Sequence, residues 1–280
     1  MDIQKTSDAT YVLGHPTREE ERLQKLGQLL YPSTKHLFEH AGITSGMKVL
    51  DVGSGTGDVA LLLAELVGST GSIVGVDVYS AGLDVARARV HAAGLTNVSF
   101  VTGDIRNIDL DTDFDAVVGR NVLIYVANQS DVLRVCCNHL RPGGIVAFHE
   151  IEWSVSERAA EMTPIPHLFQ QAMTWVAGGF RHAGAEMQIG FKFPTVFLDA
   201  GLPLPQMWLD GIVGTTEDWI GYDFVADVLY DILPKLREYG ILTEELDIDS
   251  YVELIRAEAK QQRSFVPLFF MAGAWARFQG

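Results

Sequence analysis

Cysteine is scarce. Cys136 and Cys137 are the only two in 280 residues, adjacent in a stretch of helical pattern where successive side chains diverge by about 100°, which disfavours a disulfide between them. With His139 they would supply three zinc ligands, and no fourth stands at a compatible spacing, so they read as small buried apolar residues and no metal site is expected. Positive charge is also short: 21 Lys+Arg against 36 Asp+Glu leave a net charge of -15. Such a surface repels phosphate backbones and anionic headgroups, which argues against nucleic acid and membrane as partners. No apolar run approaches the ~18 residues of a membrane span, and the opening MDIQKTSDAT lacks the basic-then-apolar order of a secretory leader. A cytoplasmic protein with a small-molecule partner is expected.

What is present is a regular alternation. From residue 48 to 151, short runs rich in β-branched and aromatic residues alternate with amphipathic stretches, the signature of strand and helix in succession. Strands are predicted at Lys48–Val52, Ser72–Val76, Val98–Thr102, Phe114–Gly119 and Gly144–Ile151. Helices are predicted at Asp58–Val67, Ala81–Ala92 and Asp131–Leu140, the last stopped by the turn Arg141-Pro142-Gly143-Gly144. Short crossovers of this kind are right-handed and wind the sheet doubly. Upstream, Thr17–Leu30 reads as a lid helix, with Pro16 near its start and glutamates 19–21 where the helix dipole favours negative charge. Downstream, helices are expected over Pro166–Ala183, Pro194–Ala200, 217–240 and 250–263, and strands over Pro205–Val213 and Phe265–Phe278. The last two strands thus bracket a helical cap insertion, and the fold class is α/β with a doubly wound, mostly parallel seven-stranded sheet.

The segment VLDVGSGTGD at 49–58 runs strand, glycine-rich turn, helix start. Gly53, Gly55 and Gly57 remove the Cβ atoms that would hold a ligand off the backbone, and the following helix offers unpaired N–H groups. A dinucleotide fingerprint would carry glycine or alanine at position 58; Asp58 stands there, which argues against an NAD-dependent oxidoreductase. Asp77 ends the second strand, where its carboxylate can accept both hydroxyls of a ribose. Asp104 and Ile105, after the third strand, sit where an adenine edge would lie across the same crevice.

VLDVGSGTGD, VGVDV, FVTGDI and LRPGG resemble, in order and spacing, the successive motifs of class I S-adenosylmethionine-dependent methyltransferases. The resemblance implies a Rossmann-like methyltransferase fold with S-adenosylmethionine as cofactor. It implies that Gly53, Gly55 and Gly57 line the methionine end, Asp77 holds the ribose, and Asp104 with Ile105 meets the adenine. It further implies that Asp51 orders the glycine loop and that Arg120 and Asn121 lie beside the donor's amino acid portion. YVLGH, the Arg22-Leu23 pair and GAWARF are similar to bacterial small-molecule methyltransferases with a helical cap, although Leu26 stands where a glutamine is expected. The expected division is 1–45 as N-terminal helical lid, 46–153 as S-adenosylmethionine-binding core, and 154–280 as helical cap plus the last two strands of the same domain.

The acceptor side carries weaker signals. His149 and Glu150 end the fifth strand, at the carboxyl edge where ligands sit in open α/β sheets, and strand alternation sends them to opposite faces. Glu150 is the first candidate for a base or for an anion facing a cationic acceptor, His149 the second, and His15 of the lid the third. Trp153, Trp175, Phe180, Trp208 and Trp219 are candidates for an apolar substrate wall. The expected activity is methyl transfer to a small, partly apolar organic acceptor of secondary metabolism through an O, N or C nucleophile. The alternative is a donor-binding cyclase or regulatory protein that no longer methylates.

Overall fold

The computed structural model describes residues 8–9, 19–162, 165–215 and 219–280. Its centre is a seven-stranded sheet made of β1 (Lys48–Val52), β2 (Ser72–Asp77), β3 (Val98–Thr102), β4 (Phe114–Arg120), β5 (Leu140–Ile151), β6 (Gln206–Gly214) and β7 (Val266–Arg277). The strand order is β3-β2-β1-β4-β5-β7-β6. The first five strands pair in parallel, and β7 runs antiparallel to both β5 and β6. The chain reverses direction across the sheet between β1 and β4, and it is at this switch point that an open α/β sheet offers its crevice.

Alternation along the central strands feeds two cores. Val49, Ala116, Val118, Ile145 and Ala147 pack with Leu37, Phe38 and Leu63, from α1 (Glu19–Ala41) and α2 (Asp58–Val67). Leu50, Val117, Val146 and Phe148 pack on the other face with Leu133 and Phe193, from α4 (Gln129–Asn138) and α7 (Ile189–Asp199). α3 (Ser80–Ala92) crosses between β2 and β3. A third core joins α5 (Trp153–Met162), α6 (His167–His182), α8 (Ile220–Glu238) and α9 (Ile248–Gln262) into the cap, through residues such as Phe169, Leu229, Ile232 and Ile255.

Four elements depart from the sequence expectation. The lid helix does not stop at Leu30: it continues through Pro32 to Ala41 because Leu37 and Phe38, beyond the proline, are fully buried against the sheet. Arg141-Pro142-Gly143-Gly144 is not a helix-ending turn but the irregular start of β5, with Gly143 at φ 81° and its N–H donated to the Phe278 carbonyl. The pairing with β4 shifts register there, as a bulge requires. α5 lies where no element was expected. α7 starts at Ile189 rather than Pro194 because the Glu152 carboxylate accepts the Gly190 N–H at 2.8 Å, satisfying a donor of its first turn.

Candidate active site

The glycine loop is tied down from beneath. Gly53 and Ser54 donate their N–H groups to the Val76 carbonyl at 2.8 and 3.1 Å, and Ser54 Oγ donates to Asp51 Oδ2 at 2.6 Å. Gly53, Gly55 and Gly57 all have positive φ, at 72°, 50° and 85°. A Cβ at Gly53 would lie 2.3 Å from Val122 Cγ2, whereas one at Gly55 would meet nothing within 4 Å, so Gly55 is where backbone faces open space. Asp77 braces the loop, its two oxygens accepting the Gly55 and Tyr79 N–H groups at 2.8 Å each.

Asp51 is fully buried behind the loop, and its Oδ1 has no hydrogen-bond partner among the described residues. Burial pushes its carboxyl up to about 7, against the Ser54 hydrogen bond and the Arg120 charge, which pull it down. The Arg120 guanidinium is half-buried and donates to Thr34 Oγ1 at 3.3 Å; desolvation lowers its pKa, while Asp58 and Asp51 favour its charge. Asn121, at φ 55°, adopts a left-handed conformation rare outside glycine. Its N–H donates to the His149 carbonyl at 2.9 Å and its Oδ1 accepts the Ile151 N–H at 3.1 Å, which holds the strained turn in place.

Asp104 receives the Arg106 guanidinium, with Nε at 2.9 and 3.0 Å from its two oxygens, and Arg106 also reaches Asp8 Oδ2 at 2.7 Å. The Asp104 carboxyl is accordingly held below its usual range, first by the Arg106 hydrogen bond. Ile105 is buried beside it. Asp58 receives Arg89 at 2.9 Å and Thr56 Oγ1 at 3.0 Å, so its charge already has a cation of the protein's own.

Many of these line a cavity of about 930 Å³, although Asp51 and Gly57, expected at the donor, are not among its lining residues. Gly53, Gly55, Asp77, Asp104, Ile105, Arg120 and Asn121 line one part of it. The rest is mostly apolar, formed by Leu23 and Leu26 of α1, Trp153, Met173, Val176 and Phe180 of the α5–α6 pair, Phe224, Val225 and Val228 of α8, and Leu268 and Phe269 of β7, with Arg22 among them. Of the five aromatics expected in a substrate wall, Trp153 and Phe180 line this cavity. The other three pack elsewhere: Trp175 against Tyr251, Trp208 against His36 and Trp219 against Tyr222, at ring separations of 5.4, 4.4 and 5.6 Å.

His149 and Glu150 point to opposite faces, as alternation requires, and neither lines the cavity. The His149 ring lies between Ser33 Oγ, 3.2 Å from Nε2, and Thr34 Oγ1, 3.1 Å from Nδ1. Burial, with the Arg120 charge adding to it, pushes this imidazole down to about 3, so it is neutral near pH 7. Glu150 accepts the backbone N–H groups of Val122, Leu123 and Ile124 at 2.9, 3.0 and 3.2 Å, and burial pushes it up to about 7 against those bonds. His15 lies outside the described residues. Cys136 and Cys137 are buried in α4, and among the described residues no group of three or more His, Cys, Asp or Glu is placed to hold a metal. No helix among them is long and apolar enough to cross a membrane.

A methyltransferase domain family matches residues 43–200, more than half of the chain. This chain belongs to the class I S-adenosylmethionine-dependent methyltransferases. The methyltransferase is 38 % identical over 142 residues to an arsenite methyltransferase of Aquipseudomonas alcaligenes, covering 46 % of this chain and 41 % of that protein. It is 36 % identical over 109 residues to the ubiquinone/menaquinone biosynthesis C-methyltransferase UbiE of Pseudomonas fluorescens, covering 38 % and 43 %. The methyltransferase is thus matched over about two fifths of these curated relatives' length. Its fold is similar to that of geranyl diphosphate methyltransferase in complex with S-adenosylmethionine, with a TM-score of 0.53, 15 % identity, and coverage of 98 % of this chain and 99 % of the other.

Sequence reasoning missed the greater part of the cavity's apolar wall. Met173, Val176 and Phe180 recur at helical spacing, and so do Val225 and Val228. A stripe of that kind has the same pattern whether it faces a core or a chamber. Arg106, which holds Asp104, was also missed, although a cation two residues from a carboxylate was there to be read.

Proposed function

We propose that this protein transfers a methyl group from S-adenosylmethionine to a small, partly apolar organic acceptor. The reading is carried by one cavity that joins a glycine-lined polar part to an apolar chamber built by the lid helix and the cap. The donor's sulfonium makes its methyl carbon electrophilic, and the chain's residues have to bind, align and exclude water.

The polar part fits that donor. The open face at Gly55 admits a ligand against the backbone, and Arg120 is a half-buried cation on the cavity wall suited to a carboxylate. Asp77 retains lone pairs for ribose hydroxyls beyond the two backbone bonds it accepts, and Ile105 offers an apolar wall to a base. Glu150 and His149 act in this reading as positioning residues. Glu150 gathers three backbone N–H groups of the loop after β4, and His149 ties the end of β5 to α1.

The apolar chamber favours an organic acceptor. Arsenite, named for one relative, is thiophilic, and both cysteines of this chain are away from the cavity wall. A quinone-like or otherwise apolar acceptor, in keeping with the other relative's name, suits a wall of Phe180, Phe224, Val228 and Phe269.

The test is a thermal scan followed by turnover. S-adenosylhomocysteine at ~100 times its dissociation constant is expected to stabilise the protein by about 2.7 kcal/mol, and NADH is expected to leave it unchanged. Isotope-labelled donor is then offered with a panel of apolar acceptors. Stabilisation by NADH but not by S-adenosylhomocysteine overturns the donor assignment; donor binding without transfer to any acceptor turns the reading toward a non-methylating cyclase or regulatory protein.

A further inference from the structure

A second cavity, of about 490 Å³, adjoins the first: Trp153, Met173 and Leu268 line both. One member of the shared wall is adaptable and another is incompletely satisfied. Met173 is an unbranched thioether that changes rotamer readily, and the buried Trp153 Nε1 has no hydrogen-bond partner among the described residues. Beyond that wall the lining is mixed, with Ser154, Gln170, Thr174 and Gln188 beside the apolar Ile165 and Phe169.

Two charges stand in this second cavity, and they differ in kind. Glu157 is paired with Arg181, 2.5 Å away. Arg158, exposed on the same helix, has no ion-pair or hydrogen-bond partner among the described residues. On a chain with 15 more acids than bases, an unneutralised guanidinium lining a cavity that adjoins an apolar chamber is a recognition element of defined sign. Guanidinium geometry matches carboxylate and phosphate oxygens.

We propose that the acceptor is an elongated amphipathic anion: its apolar body fills the chamber beside the donor, and its carboxylate or phosphate end passes the Trp153–Met173–Leu268 wall and meets Arg158. The proposal rests on the chamber being the acceptor site, as argued above. It assigns the second cavity the role of a specificity port, remote from the reacting carbon, that sets the acceptor's direction and length.

The experiment is titration calorimetry on the S-adenosylhomocysteine-loaded protein with butanoate, decanoate and decanol, in wild type and Arg158→Gln. Butanoate presents the anion alone and decanol the chain alone. Decanoate is expected to bind wild type at least about tenfold more tightly than either, since each tenfold step needs only about one added contact of modest strength. In Arg158→Gln, decanoate is expected to weaken about tenfold or more, to the level of decanol, with S-adenosylhomocysteine affinity unchanged. Decanol or butanoate matching decanoate, no decanoate binding at all, or an unaltered decanoate affinity in Arg158→Gln overturns the proposal. The functional reading fails separately, if S-adenosylhomocysteine itself does not bind.

Discussion

Arg22 on the lid helix donates from Nε to Asp231 Oδ2 on the cap helix α8 at 2.6 Å, and both side chains are sealed from solvent. This pair and its partly exposed neighbour, Lys25 with Asp227, join two elements that both line the cavity. Removing one member of a buried pair leaves the other charge without compensation, typically at a cost of about 3–5 kcal/mol. Asp231→Asn is therefore expected to lose about that much stability in urea denaturation, whereas Lys25→Met is expected to lose about 1 kcal/mol or less. Equal, small losses in both variants would show that the buried pair is not a clamp.

Asp77→Ala is expected to weaken S-adenosylhomocysteine binding by roughly 2 kcal/mol or more, because a charged acceptor is lost to the ligand and to the Gly55 N–H together. Calorimetry on folded protein checks it; unchanged affinity would remove Asp77 from the donor site.

Gly27 lies in mid-helix, where alanine would ordinarily be better by about 1 kcal/mol. Its close neighbour explains it: a Cβ there would stand 2.4 Å from Asp58 Oδ1. Gly27→Ala is expected to lower the melting temperature and the donor affinity, and Asp58→Ala in the same chain to restore the melting temperature in part. A stabilised single variant would refute the packing argument.

His149 is held neutral, with its pKa depressed from 6.5 to about 3 by burial. The unfolded chain binds this proton first as pH falls, so the contribution is present above about pH 6.5 and is lost on the way down toward 3. Melting temperatures measured across that window are expected to fall more steeply for wild type than for His149→Gln. The difference should grow to a few kcal/mol at most, as expected for a shift of this order. Parallel curves would contradict it.

The parts legible in the sequence were those written in local pattern. β1 and β3 occupy the predicted residues, Lys48–Val52 and Val98–Thr102, and α2 begins at Asp58 as the glycine turn implied. The extension of α1 past Leu30 is not legible locally, since a proline normally ends a helix and only packing with residues far along the chain overrides that at Pro32. Positions 149 and 150 drew notice for their place at a strand end. What surrounds them was beyond local reading: Ser33 and Thr34 stand more than a hundred residues upstream, and the amides of Val122 to Ile124 belong to another strand's loop.

The lid helix α1 belongs to two bodies at once. Leu23 and Leu26 border the cavity, while Leu37 and Phe38 are embedded under the sheet. Such a rod has no freedom to swing out whole when a spent nucleoside must leave and a fresh one enter. Its weak point is built in, since Pro32 has no N–H to offer the Gln28 carbonyl one turn back. Passage at the mouth then requires flexing the largely buried turns ahead of that missing bond, against the Arg22–Asp231 pair, and stiffening them would slow exchange of nucleosides without altering either wall of the chamber.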